Sequence, residues 1–393
     1  MTLELQHAMK AHPTPDELAR GRFVSAIRSF ILNDLAGDLN SAYHKRAAPK
    51  FRAATGRDPQ SSGEAHKALR GDPAFNIYSS MRVQAQKMVW ASVADGVARD
   101  AARLEALAAE AGADTSVLLK PGFVPPRNAS AIDVHLMPGS YTGGDGMAAG
   151  AVYDRGLAVF SMGLMGANLD DIGLSMAAYI KRRYPDFAPR HMLDLGCTIG
   201  HNSLPWKQAY RQAALTGIDV AAPGLRYAST RAKLQGVEAQ FTQMASDNLD
   251  YPDGSFDLVF SSMFLHELPK KIRAKTMAEA YRVLRPGGLM LHMELPPNGQ
   301  MAPFEAFYLD WDSYYNNEPY YKGYRDEDPR ALCASGGFAD DAYFQFVVPS
   351  ISIYGDQAVS DAATSDADHA VGAETTGRLA EGVMWFGYGA WKA

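Results

Sequence analysis

Cysteine is almost absent from this sequence. Its 393 residues include two, Cys197 and Cys333, and no C-x-x-C pair. A disulfide framework is thereby excluded, a zinc ribbon is argued against, and no structural metal is expected. Long apolar runs are missing as well. No stretch approaches the roughly 20 residues needed to span a bilayer, and the start, Met1 to His7, lacks a basic segment followed by an apolar one, the mark of a secretory signal. A cytoplasmic protein without a membrane partner is the expectation. Positive charge is not in excess either. With 38 Lys and Arg against 44 Asp and Glu, the net charge is −6, which gives no bulk attraction to nucleic acid. A local basic run, Lys270-Lys271-Ile272-Arg273, reads as a solvated helix face. The dinucleotide fingerprint G-x-G-x-x-G is absent, which argues against a dehydrogenase.

What is present suffices for a large core: 47% of residues are hydrophobic, and the length suits two domains. The first part reads as helical. Thr14-Pro15-Asp16-Glu17 has the composition of a capping box with proline at the first helical position. Leu18, Phe23, Ile27, Ile31 and Leu35 follow at helical spacing, with Gly37 as the expected stop. Residues 41–72 read as short helices and loops. A long helix is expected from about Phe75 to Ala111, with Met81, Ala85, Met88, Val89, Trp90, Val93, Val97 and Leu104 as a stripe too apolar to face water. Prolines and glycines punctuate residues 121–150, a connector. Another helix is expected over Asp170–Tyr184.

From His191 onward, strands and helices alternate. Apolar runs at 192–195, 214–218, 239–242, 256–261 and 288–293 are separated by amphipathic segments, as in a parallel sheet covered by helices on both faces. The first run ends in Asp194-Leu195-Gly196-Cys197-Thr198-Ile199-Gly200. Glycine at such a turn lets backbone approach a ligand closely, and ligands of open α/β sheets bind at the carboxyl ends of the strands. About twenty residues on, the second run ends in Asp219, whose carboxylate is placed to accept ribose hydroxyls.

The ensemble resembles class I S-adenosylmethionine-dependent methyltransferases, especially the small-molecule group related to the ubiquinone-type enzymes. The residues that carry it are Asp194–Gly200, Asp219, the run Asp250 to Val259, Phe264-Leu265-His266-Glu267 and Leu284-Arg285-Pro286-Gly287-Gly288-Leu289. The resemblance implies an α/β fold, a Rossmann-like seven-stranded methyltransferase sheet over residues 131–393, with residues 1–130 as a mostly helical extension, lid or dimerisation domain. It implies S-adenosylmethionine as cofactor. Asp194, Gly196, Cys197 and Gly200 would border its methionine part, Asp219 and Val220 its ribose, and Met244, Ala245 and Ser246 its adenine. Ser261 and Met263 would face the methionine chain. Thr198 stands where the family's turn has a glycine, which is tolerable at negative φ. Phe344–Val348 and Val383–Tyr388 would pair antiparallel at the sheet edge, and residues 355–382 read as a mobile loop or lid.

Methyl transfer from a sulfonium is an in-line displacement in which positioning does most of the work. A base is needed only for an acceptor that carries a firmly held proton; His266 is the candidate, ahead of His292 and Glu294. His135, Tyr141, Tyr153 and Arg155 before the core, and Tyr308, Trp311 and Tyr315 after the fifth strand, are candidate acceptor contacts. The expected acceptor is a small molecule rather than nucleic acid, since no Asn/Asp-Pro-Pro-Tyr/Phe motif follows the fourth strand. A non-catalytic cofactor-binding scaffold, with the N-terminal helices as an interaction module, is the competing class; a homodimer interface is another use for those helices.

Overall fold

The computed structural model describes residues 3–144, 146–365 and 382–393. Its centre is a sheet of eight strands: β1 (Val117–Leu118), β2 (His191–Leu195), β3 (Ala214–Asp219), β4 (Gln240–Gln243), β5 (Phe256–Ser262), β6 (Leu284–Glu294), β7 (Tyr343–Pro349) and β8 (Met384–Trp391). The order is β1-β4-β3-β2-β5-β6-β8-β7. β8 runs antiparallel to both β6 and β7, and every other pairing is parallel. The expected antiparallel edge is thus present. The eighth strand is the departure from expectation: two residues ahead of the connector pair with Phe241 and Thr242 and extend the opposite edge. The buried strands carry nearly continuous apolar runs because helices cover both faces. Met192, Leu193, Leu258, Val259, Leu289 and Met290 are fully buried.

Before the sheet the chain is helical. The Thr14 capping box forms, with the Thr14 N–H donating to Glu17 Oε2 at 2.8 Å and the Glu17 N–H to Thr14 Oγ1 at 3.3 Å. The Pro15–Phe30 helix does not stop at Gly37. It continues through Ile31–Leu35, Ala36–Ala42, Tyr43–Ala47 and Ala48–Thr55, where Gly56 closes it in the left-handed conformation. One glycine is a weak stop when Ile31, Ala36, Leu39, Ala42 and Tyr43 all bury around it. The long helix spans Pro73–Ala111, capped by Asp72 and ended by Gly112. Of the expected stripe, Ala85, Val89, Trp90, Val93, Val97 and Leu104 are buried and Met81 and Met88 partly so; near the helix start Tyr78 packs beside Tyr308 and Phe75 beside Phe307 and Trp311. Trp90 fits against Gly156, where even a methyl group would collide with its ring.

Two other readings need correction. Residues 351–364 form a helix, bent at Gly355, because Val359 and Ala363 find a core to bury in; residues 366–381 of the expected loop lie outside the described residues. Arg273 of the basic run is buried, donating to the Leu265 and Leu268 carbonyls and pairing with Glu327 at 2.9 Å. No helix among the described residues is long and apolar enough to cross a membrane.

Candidate active site

β3 lies on one side of β2 and β5 on the other, so the crevice at their carboxyl ends is where a ligand of such a sheet binds. The 194–200 turn lies there. Gly196 takes φ +72°, and a side-chain carbon on it would come within 2.2 Å of the Phe264 ring. Thr198 is also at positive φ, +51°, against the expected negative value. Such backbone in a β-branched residue costs on the order of 1–3 kcal/mol. It is held by hydrogen bonds: the Thr198 N–H donates to Asp219 Oδ2 at 3.0 Å and the hydroxyl to the Gly196 carbonyl at 3.3 Å. Asp219 Oδ1 accepts the Ala221 N–H at 2.9 Å. Burial raises the Asp219 carboxyl above its ordinary pKa, and these N–H groups oppose the rise.

Two cavities open from this turn. The first, about 170 Å³, is lined by Asp219, Val220, Met244, Ala245, Ser246 and Asp247 among others. The second, about 180 Å³, is lined by His135, Tyr153, Asp194, Cys197, His266 and Glu318 among others. Gly196, Thr198, Met263 and Tyr141 line both. Asp194 accepts a hydrogen bond from the Ser203 hydroxyl, and burial pushes its carboxyl up to about 8.

Not every expected residue reaches a cavity. Gly200 is turned toward Ala228 and Phe241. Ser261 is turned into the sheet and bonds His292 Nδ1 at 2.8 Å; the alternation of β5 delivers Ser262 instead. His292 is kept neutral by burial, which lowers its pKa to about 3. Arg155 is buried against the Leu3 carbonyl. On the Pro303–Tyr315 helix and its end, Leu309, Asp312, Ser313 and Asn316 line the second cavity, spaced as one helical face. Tyr308, Trp311 and Tyr315 therefore fall on other faces. Trp311 stacks on Tyr314 and donates to Ser79 Oγ at 3.2 Å. The aromatic residues drew the eye, but the cavity takes the polar stripe between them.

The second cavity holds a network that the sequence reading only partly named. His266 Nδ1 lies 2.5 Å from Glu294 Oε2, while Glu294 Oε1 accepts the Phe264 and Leu265 N–H groups. His266 Nε2 faces Glu267 Oε1 at 3.9 Å and Glu318 Oε2 at 3.8 Å. His135 Nε2 is 2.8 Å from the Tyr141 hydroxyl, which donates to Glu267 Oε1 at 3.2 Å. His135 Nδ1 is 3.3 Å from Glu318 Oε1. The long N-terminal helix fixes His135: its carbonyl accepts from Gln86 Nε2 at 2.8 Å and Trp90 Nε1 at 2.7 Å, across backbone at φ +59°. Arg82 of the same helix pairs with Asp312 and donates to Asn316 Oδ1 at 2.7 Å. Glu318, in the stretch after strand five read as a possible acceptor pocket, and Glu267, in the Phe264–Glu267 motif, were not singled out, because no spacing rule brings residues 135, 267, 294 and 318 together.

Burial lowers the His266 pKa, but Glu294, Glu267 and Glu318 outweigh it and hold the ring up to about 9. A histidine raised above its unfolded value, about 6.5, contributes stability that is complete below that value and is lost as pH rises through the folded one. The melting-temperature gap between the protein and its His266→Asn variant should therefore narrow between pH 6.5 and 9.5. A gap that widens over this range would contradict the pairing.

Residues 192–288 match the methyltransferase-domain family. Among curated proteins, the chain is similar to demethylmenaquinone methyltransferase of Thermus thermophilus, 34% identical over 128 residues, which are 33% of this chain and 56% of that protein. It is also similar to a phthiotriol/phenolphthiotriol dimycocerosates methyltransferase of Mycobacterium tuberculosis, 31% identical over 121 residues, 31% of this chain and 43% of that one. The chain thus spans about half the length of the curated relatives it matches. Among solved structures, phosphoethanolamine N-methyltransferase 2 of Haemonchus contortus is 18% identical, covering 59% of this chain and 57% of that one, with a TM-score of 0.39.

Proposed function

We propose that this chain, whose residues 192–288 form a class I S-adenosylmethionine-dependent methyltransferase domain, methylates a small molecule held in the second cavity. One observation carries the reading: the two cavities share Gly196, Thr198, Met263 and Tyr141, so a ligand in each would meet at that wall. The cofactor supplies a methyl group already activated on a sulfonium. The residues present fit it. Asp219 gives each oxygen one backbone N–H and keeps lone pairs for a ribose diol. Val220, Met244, Ala245 and Ser246 line the same cavity, where the adenine would lie, and Asp194 and Gly196 would border the methionine end. At Gly196 a side chain would fill the cradle.

On the acceptor side, His266 handles the proton. Its Nδ1 is anchored by Glu294, which leaves Nε2 toward the cavity. Residues 1–130 act as a cover that completes the acceptor site through Arg82, Gln86 and Trp90 rather than as a nucleic-acid module. Enclosure serves the chemistry, because excluding water strengthens the polar contacts inside and prevents side reactions.

Calorimetry should show S-adenosylmethionine and S-adenosylhomocysteine binding and no binding of NAD. NAD binding without either of them would end this reading.

A further inference from the structure

We propose that the acceptor enters the second cavity as a protonated amine, its ammonium group seated between Glu318, which lines that cavity, and Glu267, which lines the adjoining first one. This deepens the proposed function and rests on the second cavity being the acceptor site.

Charge is the first argument. Among the described residues, the only basic side chains that Glu267, Glu294 and Glu318 meet are His135 and His266. Three ionised carboxylates against two protonated imidazoles leave one negative charge over, and burial raises the Glu267 pKa accordingly. Of the cavity's other acids, Asp312 is already matched by Arg82, and Asp194 accepts from the Ser203 hydroxyl with its carboxyl pushed up to about 8 by burial; among the described residues no lysine or arginine lines the cavity. A buried charge without a partner is costly, and a monocation supplies the partner.

Geometry is the second. The His266 side chain is only 3% exposed, yet Nε2 makes no hydrogen bond: Glu267 and Glu318 are 3.9 and 3.8 Å away. The gap suits an interposed group that donates to both carboxylates. His266, Glu267 and Glu318 offer one nitrogen and two carboxylate oxygens within 4.8 Å of one another, so a divalent ion is the competing occupant, and the test below separates the two. Charge-assisted N–H···O bonds of about 2.8 Å reach across such a span without drawing the carboxylates together.

The walls are the third. Tyr153, Phe160, Tyr321 and Trp385 line the same cavity, and aromatic faces attract organic cations.

The chemistry closes. The ammonium gives one proton to His266 Nε2, whose own proton affinity falls once a cation sits beside it. The freed nitrogen lone pair forms the C–N bond, the C–S bond breaks with its electron pair staying on sulfur, and the product leaves as a methylated ammonium. His266 passes the extra proton to solvent.

The test is calorimetry on the full chain, with and without saturating S-adenosylhomocysteine. Phenethylamine and ethanolamine are titrated against their neutral counterparts, 2-phenylethanol and ethylene glycol, with Mn²⁺ as a separate probe. At least one amine should bind tenfold or more tightly than its alcohol, and Glu318→Gln should remove that preference while leaving S-adenosylhomocysteine binding unchanged. No amine preference in the unaltered protein, or a preference that survives Glu318→Gln, overturns the proposal. So does stoichiometric Mn²⁺ binding that is lost in Glu318→Gln and excludes the amine. Failure to bind S-adenosylhomocysteine would instead overturn the cofactor reading, because the amine arm is also run without it.

Discussion

Replacing Asp219 by alanine should weaken S-adenosylhomocysteine binding tenfold to a hundredfold. The carboxylate would accept the ribose diol, and losing hydrogen bonds to a charged group costs roughly 1.5–3 kcal/mol, which is that range of affinity. A second loss adds to it. The same oxygens hold the Thr198 and Ala221 N–H groups, so the variant also frees a turn kept at positive φ beside the ligand. Asp219→Asn should fall between the two, since its carbonyl oxygen still accepts one N–H. Calorimetry, with circular dichroism to verify folding, reads the effect; an unchanged dissociation constant in a folded Asp219→Ala protein would refute the assignment.

The second large effect concerns stability. Asp154→Ala should cost about 3–5 kcal/mol, the usual result of leaving one member of a buried ion pair alone. Asp154 is 1% exposed. Its Oδ1 accepts from Arg231 at 2.9 Å, and its Oδ2 accepts from the Tyr227 hydroxyl at 3.1 Å and faces His7 Nε2 at the same distance. Arg231 is equally buried and has no other carboxylate within salt-bridge distance among the described residues. The total stability of a domain is only about 5–15 kcal/mol, so the urea midpoint should fall steeply. Because His7 would lose its anchor too, limited proteolysis should open the amino-terminal segment first. A midpoint shift worth less than about 1 kcal/mol would show that the cluster relaxes around the missing charge.

How much of this was legible beforehand follows from what each signal measures. The strands announced themselves because burial on both faces demands uninterrupted apolar residues. The 194–200 turn and Asp219 were readable as candidates because what marks them lies in local backbone. Gly37 misled because intrinsic preference yields to tertiary packing. The eighth strand escaped because Val117-Leu118 is too short for any periodicity. Thr198 shows the same limit at one residue: its φ is set by Asp219, twenty-one positions on. The acceptor side was half legible. His135, Tyr141, Tyr153 and His266 were found by their chemistry and their place near the strand ends. Glu318 looks in sequence like any acid after a helix, and Tyr308, Trp311 and Tyr315 were misassigned because aromatic content says nothing about which face of a helix meets a cavity.

The Pro303–Tyr315 helix has a consequence for how new specificities could arise. One face touches whatever occupies the second cavity, and another is wedged against the amino-terminal helices through Tyr308, Phe307 and Trp311. A change at Leu309, Asp312 or Ser313 that reshapes the cavity also shifts the rod on which those aromatic contacts rest. Exchanging acceptor preference between relatives should therefore succeed when this helix is transplanted together with the segments around Phe75, Tyr78 and Arg82, and fail when either travels alone.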